Sequence, residues 1–321
     1  MLRGAIIGFG EVAQNGHWPG YQGFPDTKIV AVVDRTEQRR EVARRLIPDV
    51  ATYATIEELA EGGEIDFVDI CTPPALHGES ILAALSKKWH VLCEKPLLLD
   101  LEELDKVKAL AKKAERAVVP VHNWKYAPII RQATQSLRSG VIGRLRGVEM
   151  ETLRIRDCAV ADPDHPNWRR DPAISGGGIL MDHGWHSIYL ARHWFAEEPA
   201  NVRAYLRRSE EGGVEDEVAL TLTFVRGNAK IFLTWRSDRR RNTMHLIGER
   251  GSITIGDNTL TAGNSIVHFA EGLSNGSHHP DWFAAMLPDV VSCFQNLKRA
   301  DDLFLEAALC LSVIRRVYAI A

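Results

Sequence analysis

A chain of 321 residues is longer than one hydrophobic core usually serves, so two domains are expected. Its 45% hydrophobic and 25% charged residues are those of an ordinary globular protein, and a net charge of −3 gives no electrostatic footprint for nucleic acid or an anionic membrane. Cys71, Cys93, Cys158, Cys293 and Cys310 include no C-x-x-C pair, and the first two lie in apolar strand-like runs, which suits buried free thiols in a reducing compartment. The opening MLRGAIIGFG enters an apolar run directly, without a signal-peptide pattern, and no stretch of transmembrane length follows; a cytoplasmic protein is expected.

The most informative segment comes first. AIIGFGEVA, Ala5 to Ala13, closes an apolar run with Gly8-Phe9-Gly10, and the run Ile29-Val30-Ala31-Val32-Val33 ends in Asp34. The pattern predicts strand, tight turn and helix start, then a second strand ending in a carboxylate. Gly8 permits the turn, Gly10 lets backbone N–H groups approach a pyrophosphate, and Ala13 lets the helix sit close to the strand. Asp34 stands where the ribose-binding acid of a dinucleotide fold is expected, and the helix N-terminus would face the anion.

The alternation continues. Thr36 is placed to cap a charged helix, TEQRREVARRL, followed by an apolar run at Ile65–Cys71 and a helix from Gly78 to Lys87. A strand at Trp89–Cys93, a helix at Asp100–Arg116 and the run Ala117–Val121 complete a series that implies right-handed crossovers and a parallel sheet over residues 1–121. From Gly143 the pattern changes. A strand is expected at Val148–Arg156, an irregular stretch at Asp157–Gly178 and a helix from Ile179 to Phe195. The alternating Val218–Phe224 and the runs Lys230–Trp235, Thr243–Ile247 and Ser252–Ile255, joined by short turns, predict a largely antiparallel sheet. Helices at Asp281–Leu297 and Asp301–Ala319 close residues 122–321, read as an α+β domain with helices on one sheet face. The mixed Thr and apolar residues of the other face suit a partner subunit, so a homodimer or homotetramer through that sheet is expected.

Two groups could carry chemistry. Glu94-Lys95-Pro96 follows a strand directly, where ligands bind in open parallel sheets, and a lysine there can donate to a substrate oxygen. The alternative is a solvated ion pair. The proline fixes local geometry, with a cis bond one way to do so. Ser175-Gly176-Gly177-Gly178 leads into Ile179-Leu180-Met181-Asp182-His183-Gly184-Trp185-His186, and in an α-helix Asp182 and His186 share one face. A carboxylate can orient an imidazole for general acid–base work; a helical surface pair or a core histidine are the alternatives. Asp182, His183 and His186 include metal-ligand types, but the set is partial and no metal is expected.

In this order and spacing, GFGEVA, CTPPALH, EKP, HNWKYAP and NWRRDPAISGGGILMDHGWH resemble the Gfo/Idh/MocA oxidoreductases. The resemblance covers the first 195 residues by motif and the rest by architecture. It implies a Rossmann α/β domain with a parallel doubly wound sheet, joined to an α+β domain, and NAD(P)-dependent dehydrogenation of sugars, inositols and related polyols. By that resemblance Lys95 and His186 form the catalytic pair and Asp182 assists. Gly8, Phe9, Gly10, Glu11, Val12, Asp34 and Arg35 would hold the adenosine and pyrophosphate side. Thr72, Pro73, His77, Glu94, Lys95 and Asn123 would line the nicotinamide half, and Trp168-Arg169 matches a pair that reaches the dinucleotide. Asn123, Lys125, His165 and Asn167, with Lys95, Asp182 and His186, are the expected substrate contacts. The family often carries an acid three or four residues after the histidine, where this chain has Ser187-Ile188-Tyr189-Leu190, and His183 beside Asp182 is unusual.

The expected mechanism gives His186 the hydroxyl proton while a hydride passes to nicotinamide, with Lys95 holding the same oxygen. Specificity would lie in Arg156–Arg169. Trp124, Trp168 and Trp185 offer faces suited to a sugar ring, whereas Trp18, Trp89, Trp194 and Trp235 read as packing. Asp34 favours NAD over NADP, with Arg35 a partial offset. A glycosidase using bound NAD transiently, and a non-catalytic dinucleotide sensor, are the alternative functions.

Overall fold

The computed structural model describes residues 1–157, 167–211 and 213–320. They divide into two compact units. The first takes Met1–Asn123 with His278–Ala308, and the second Trp124–Ser277 with Leu309–Ala321.

The first unit is an alternating α/β structure. Strand β1 (Leu2–Ile7) leads through the glycine turn into helical residues 11–21, which contain a π-turn at Ala13–His17 and the short α1 (Trp18–Tyr21). Next come β2 (Thr27–Val33), α2 (Glu37–Leu46), β3 (Ala51–Tyr53), α3 (Ile56–Gly62), β4 (Phe67–Ile70) and α4 (His77–Ser86). Strand β5 (His90–Cys93), α5 (Leu101–Ala114) and β6 (Val118–Pro120) complete the sheet, whose order is β3-β2-β1-β4-β5-β6, every pair parallel. The order reverses beside β1, the switch point at which open α/β sheets bind ligands. The central strands are mostly apolar because helices bury both faces; β4 has no exposed residue, its one acid, Asp69, included. Sequence reading passed over β3 and α3, since ATY is an exposed three-residue edge with no apolar run.

Two helix starts follow the expected chemistry. Asp100 Oδ2 accepts from the Glu103 N–H (3.3 Å), and Thr55 Oγ1 accepts from the Glu58 N–H (3.2 Å). Thr36 departs from expectation: it makes no cap bond, and both its N–H and its hydroxyl donate to Asp34 Oδ1, at 2.9 and 3.0 Å. The carboxylate two residues back outcompetes the helix end for that hydroxyl. Helix α9 (Pro280–Gln295) lays Phe283 on His17, ring centroids 3.9 Å apart and 20° from parallel. A buried pair, His122 Nδ1 to Glu306 Oε1 at 2.7 Å, ties the chain after β6 to the first half of α10 (Leu297–Ile320).

The second unit carries α6 (Pro128–Arg138), β7 (Leu145–Leu153), the short α7 (Pro172–Ser175), a π-turn at Leu180–Gly184 and α8 (Trp185–Phe195). Strands β8 (Asn201–Arg208), β9 (Glu215–Thr223), β10 (Asn228–Thr234), β11 (Arg241–Gly248), β12 (Ser252–Gly256), β13 (Thr259–Ala262) and β14 (Ser265–His268) follow. The sheet runs β14-β13-β12-β11-β7-β10-β9-β8, antiparallel except where β7 and β10 lie parallel. One face is the core: Val148, Met150, Val218, Leu220, Leu222, Ile231, Leu233, Met244 and Leu246 are all buried. Of the alternate residues of β9 and β10, Ala219, Thr223, Asn228 and Lys230 are exposed and Glu217, Thr221 and Phe232 half-buried. Helix α6 packs on β12 and β13, α8 packs on β7, and Trp194 Nε1 donates to Thr134 Oγ1 (3.0 Å) to join the two helices. The strand expected at Val148–Arg156 starts and ends three residues earlier, and just past its end Arg154 buries its guanidinium against the Arg241 carbonyl and Asn242 Oδ1. Among the described residues, no helix is long and apolar enough to cross a membrane.

The period-2 register makes a direct prediction. Leu233→Ala, on the core face, should lower stability by about 2–5 kcal/mol, whereas Thr223→Ala, on the outer face, should stay within roughly 0.5 kcal/mol. Urea denaturation of the two variants checks this; comparable losses would mean the register is shifted by one residue.

Candidate active site

In the first unit the glycine turn is held from two sides. Gly8 adopts φ +85°, and a Cβ there would lie 2.8 Å from Thr72 Cγ2, so only glycine permits this approach to the end of β4. Around Gly10, by contrast, space is open where a Cβ would sit. The turn's backbone is therefore bare on the side where helical residues 11–21 begin, an arrangement that fits a pyrophosphate. Asp34, buried at the end of β2, accepts from the Phe9 N–H through Oδ2 (2.8 Å) while Oδ1 holds Thr36. It thus braces the turn from the position at which a ribose-binding acid is expected. Arg39 Nη1 lies 3.8 Å from the same carboxylate, a neighbour that sequence reading missed; Arg35 and Glu11 are exposed and Val12 half-buried.

The ends of β4 and β5 are joined by His77. Sequence reading placed it along the nicotinamide half of a cleft, but it is fully buried and its nitrogens face two backbone carbonyls, Pro96 O at 2.9 Å and Thr72 O at 2.8 Å. It is a strut between loops. Burial holds its imidazole below the usual histidine range against the opposing pull of those carbonyls. Thr72 is half-buried beside it, with Pro73 next in the chain. The Lys95–Pro96 bond is cis, Lys95 is half-buried, and its backbone N–H donates to Glu94 Oε2 (2.9 Å).

Glu94 is no surface ion pair. Its Oε1 meets Nε2 of the buried His17 at 3.0 Å, and the other nitrogen of His17 meets Asp69 Oδ2 at 2.8 Å. Tyr21 Oη donates to Asp69 Oδ2 (3.0 Å) and the Cys71 thiol to Asp69 Oδ1 (3.7 Å). Burial alone would lower the His17 imidazole, but the Asp69 carboxylate, with Cys71, holds it well above the usual range. Burial would raise Glu94, and the His17 bond and charge hold it below the usual carboxylate range. Burial pushes the Cys71 thiol up to about 12. His17, Asp69 and Cys71 gather three ligand-type atoms within 4.8 Å. A tetrahedral zinc at about 2.0–2.3 Å would space such atoms roughly 3.3–3.5 Å apart. Nδ1 of His17 is 2.8 Å from Asp69 and 3.2 Å from Cys71 Sγ, which is hydrogen-bond spacing. No sequence motif flagged this cluster; the one available signal was a histidine following the glycine turn within the same helix.

In the second unit the three glycines have separate jobs. Gly176 takes φ +76° to end α7, a Cβ on Gly177 would strike the Tyr318 hydroxyl, and one on Gly178 would strike the Glu215 carbonyl. Glu215, at the start of β9, is buried and accepts through Oε1 from the N–H groups of Gly178 and Leu180 (both 3.0 Å) and from Tyr318 Oη (2.9 Å). A carboxylate here satisfies the N–H groups that open the π-turn. Burial raises its pKa, opposed by these bonds.

Asp182 lies within the π-turn, four residues before His186. Arg169 Nε and His183 Nε2 lie 3.8 and 3.7 Å from its carboxylate. The Arg169 guanidinium also stacks over Trp168 at 4.3 Å, so the expected Trp-Arg pair is built beside Asp182. His186 is buried between two aromatics, Trp124 stacked at 4.7 Å and Tyr189 edge-on at 5.6 Å, and its Nδ1 bonds the Tyr189 hydroxyl at 2.8 Å. Tyr189 lies three residues after His186, and Lys125 Nζ sits 5.4 Å over its ring. Asn167, expected to read substrate hydroxyls, donates through Nδ2 to Asp157 Oδ2 (3.0 Å). His165 lies outside the described residues. Asn123 is half-buried at the end of the first unit.

The profile described as "oxidoreductase family, NAD-binding Rossmann fold" matches residues 2–122, and that of the "GFO/IDH/MocA C-terminal domain" matches residues 130–254. The chain belongs to the Gfo/Idh/MocA oxidoreductase family. Oxidoreductase P35 of Formosa agariphila is 29% identical over 80% of this chain and 79% of its own length. The levoglucosan dehydrogenase of Pseudarthrobacter phenanthrenivorans is 28% identical over 74% of this chain and 66% of its own. The aldose-aldose oxidoreductase of Caulobacter crescentus, solved with glycerol, superposes with a TM-score of 0.82 at 24% identity, covering 99% of this chain and 96% of that one, which shows a shared fold. This Gfo/Idh/MocA chain carries its NAD-binding Rossmann fold in the first unit and a mostly antiparallel eight-stranded sheet in the second.

The Glu215 anchor yields a prediction. Glu215→Ala orphans three buried donors at about 1–3 kcal/mol each if unsatisfied, so stability should fall by at least about 2 kcal/mol. Glu215→Gln, which keeps an acceptor, should lose less. Thermal denaturation ranks the two, and hydrogen exchange should speed up across the Gly178–His186 segment in the alanine variant only.

Proposed function

We propose that the chain is an NAD(P)-dependent dehydrogenase or reductase acting at a secondary hydroxyl of a sugar, an inositol-like polyol or a nucleotide-linked sugar. The carrying observation is the first unit's switch point. There a bare Gly8–Gly10 turn braced by Asp34 stands beside the strand end that presents Lys95. In this reading the backbone of Gly8, Phe9, Gly10, Glu11 and Val12 holds the pyrophosphate, and Asp34, with Arg35 near it, meets the adenosine ribose. Thr72, Pro73, Glu94, Lys95 and Asn123 serve the nicotinamide side, Glu94 by fixing the Lys95 backbone. Bound nicotinamide accepts or supplies the hydride.

Lys95 donates a hydrogen bond to the reacting oxygen and stabilises its alkoxide character, while His186 takes or returns the hydroxyl proton. Tyr189 fixes the ring orientation of His186 through Nδ1, and Trp124 covers one imidazole face. Asp182 assists from the adjoining turn, oriented by Arg169. Lys125 and the Trp168 face are the substrate contacts that suit a hydroxyl-rich ring. The name of the levoglucosan dehydrogenase relative supports an anhydro-sugar or sugar substrate class. The outer face of β8–β10, with Tyr205 65% exposed, is the proposed homo-oligomer surface, and the buried thiols of Cys71, Cys93, Cys293 and Cys310 suit a cytoplasmic setting.

The chemistry is tested by Lys95→Ala and His186→Ala. Each should lose about 10²–10⁴-fold in turnover with NAD affinity nearly unchanged, and Asp182→Asn should be milder. Near-normal turnover in both alanine variants, on a substrate that the wild type oxidises, refutes the assignment.

Cofactor choice is tested at Asp34. NAD is the preferred cofactor, since a carboxylate accepts ribose hydroxyls and repels a 2′-phosphate, although Arg39 and Arg35 lie close enough to soften that preference. Asp34→Asn keeps an acceptor for Phe9 and removes the charge, so kcat/KM for NADP relative to NAD should rise. An unchanged ratio would mean that Asp34 does not meet the ribose.

A further inference from the structure

We propose that His17 is a positioning residue: a buried imidazolium, clamped between Asp69 and Glu94, that fixes the Glu94–Lys95 peptide. The proposal rests on the role given to Lys95 above.

The protonation state follows from geometry. Each ring nitrogen of His17 faces a carboxylate oxygen, at 2.8 and 3.0 Å, and carboxylates at neutral pH only accept hydrogen bonds. A singly protonated ring would set a nitrogen lone pair against an oxygen lone pair inside a site that excludes water. Only the doubly protonated ring satisfies both contacts, and here, unlike at His77 with its neutral carbonyl partners, both acceptors carry negative charge that offsets the imidazolium. The surroundings agree: among the described residues the groups facing His17 are Tyr21 from α1, Asp69 and Cys71 from the end of β4, Glu94 from the end of β5 and Phe283 from α9. Tyr21 and Cys71 donate to Asp69, Phe283 is neutral, and both charged neighbours are acids. The ring keeps its proton well above the usual histidine range for the same reason.

The position is fixed as firmly as the charge. His17 ends the π-turn of the helix that follows the glycine turn, and Phe283 stacks flat against it. Glu94 is then used at both ends: Oε1 on His17 and Oε2 on the Lys95 N–H. The side chain that holds Lys95's backbone is itself pinned by an element whose other end forms the dinucleotide turn. A misplacement of a reacting group by about 1 Å can cost on the order of 10²-fold in rate, which sets the size of the effect.

Long-range ¹H–¹⁵N imidazole spectra of the full chain, without cofactor, test the clamp independently of activity. His17 should remain doubly protonated through neutral pH in the wild type and titrate to a neutral ring at lower pH in Glu94→Gln. A neutral His17 tautomer at neutral pH in the wild type overturns the proposal. In turnover, His17→Gln should lower kcat ~10- to 100-fold while the NAD dissociation constant stays within about threefold. The double variant His17→Gln/Glu94→Gln should be no slower than Glu94→Gln alone, because the two act as one unit. Wild-type kcat in a folded His17→Gln, beside an inactive Lys95→Ala, overturns the clamp and leaves the role of Lys95 standing. Full turnover in Lys95→Ala overturns both.

Discussion

Loops have no ladder or helix to satisfy their backbone polar groups, and in this chain buried side chains do it for them. Asp34 takes the Phe9 N–H, His77 meets the carbonyls of Thr72 and Pro96, Glu94 takes the Lys95 N–H, and Glu215 takes those of Gly178 and Leu180. The segments carrying Gly8–Gly10, Thr72, Lys95 and Gly178 are tied this way. Such bonds are strengthened by burial and costly to leave unmade, so each loop has one favoured geometry. Preorganisation of this kind is what catalytic groups on loops require.

The two units balance their buried acids differently. In the first, Asp69 and Glu94 share the positive charge of His17, so the anchor is an ion cluster with hydroxyl and thiol donors completing it. In the second, the hydrogen bonds to Glu215 come from neutral donors, two backbone N–H groups and a tyrosine, at the opening of a helical turn. Burial accordingly drives Glu215 upward while His17 holds Glu94 down. An ion clamp resists a change of geometry as long as the imidazole is protonated. A carboxylate on neutral donors tolerates protonation of one oxygen while the other still accepts.

The sequence displayed the parts of the fold that depend on local pattern. Apolar runs broken by Gly8, Asp34 and Asp100 marked the parallel sheet, and the two-residue period of Val218–Phe224 marked the antiparallel one, because those signals are periodic and short-range. The edge strand Ala51–Tyr53 escaped because an exposed edge needs no apolar run. Within the candidate site, the glycine turn and the Lys95 motif were legible from spacing alone, while the assembly around them was not. His17 reaches Asp69 and Glu94 across 52 and 77 residues, and Glu215 reaches Gly178 across 37. No local pattern encodes such distances. His77 was misplaced for a related reason: a histidine after a strand end looks the same in sequence whether its ring lines a cleft or struts two loops. Likewise the close packing of Gly177 and Gly178 on Tyr318 and Glu215 is tertiary and has no local signal.

Tyr189 bears on the chemistry that remains. A carboxylate at Nδ1 would accept a proton from the ring and favour the imidazolium, raising the basicity of Nε2. A phenol can donate or accept, carries no charge at neutral pH and so orients the ring without biasing it toward the charged form. Trp124 and Tyr189 supply the same kind of environment, apolar faces and one hydrogen bond. In each unit a candidate residue is thus oriented by its own neighbours: the His186 ring by Trp124 and Tyr189 in the second, the Lys95 backbone by Glu94 in the first.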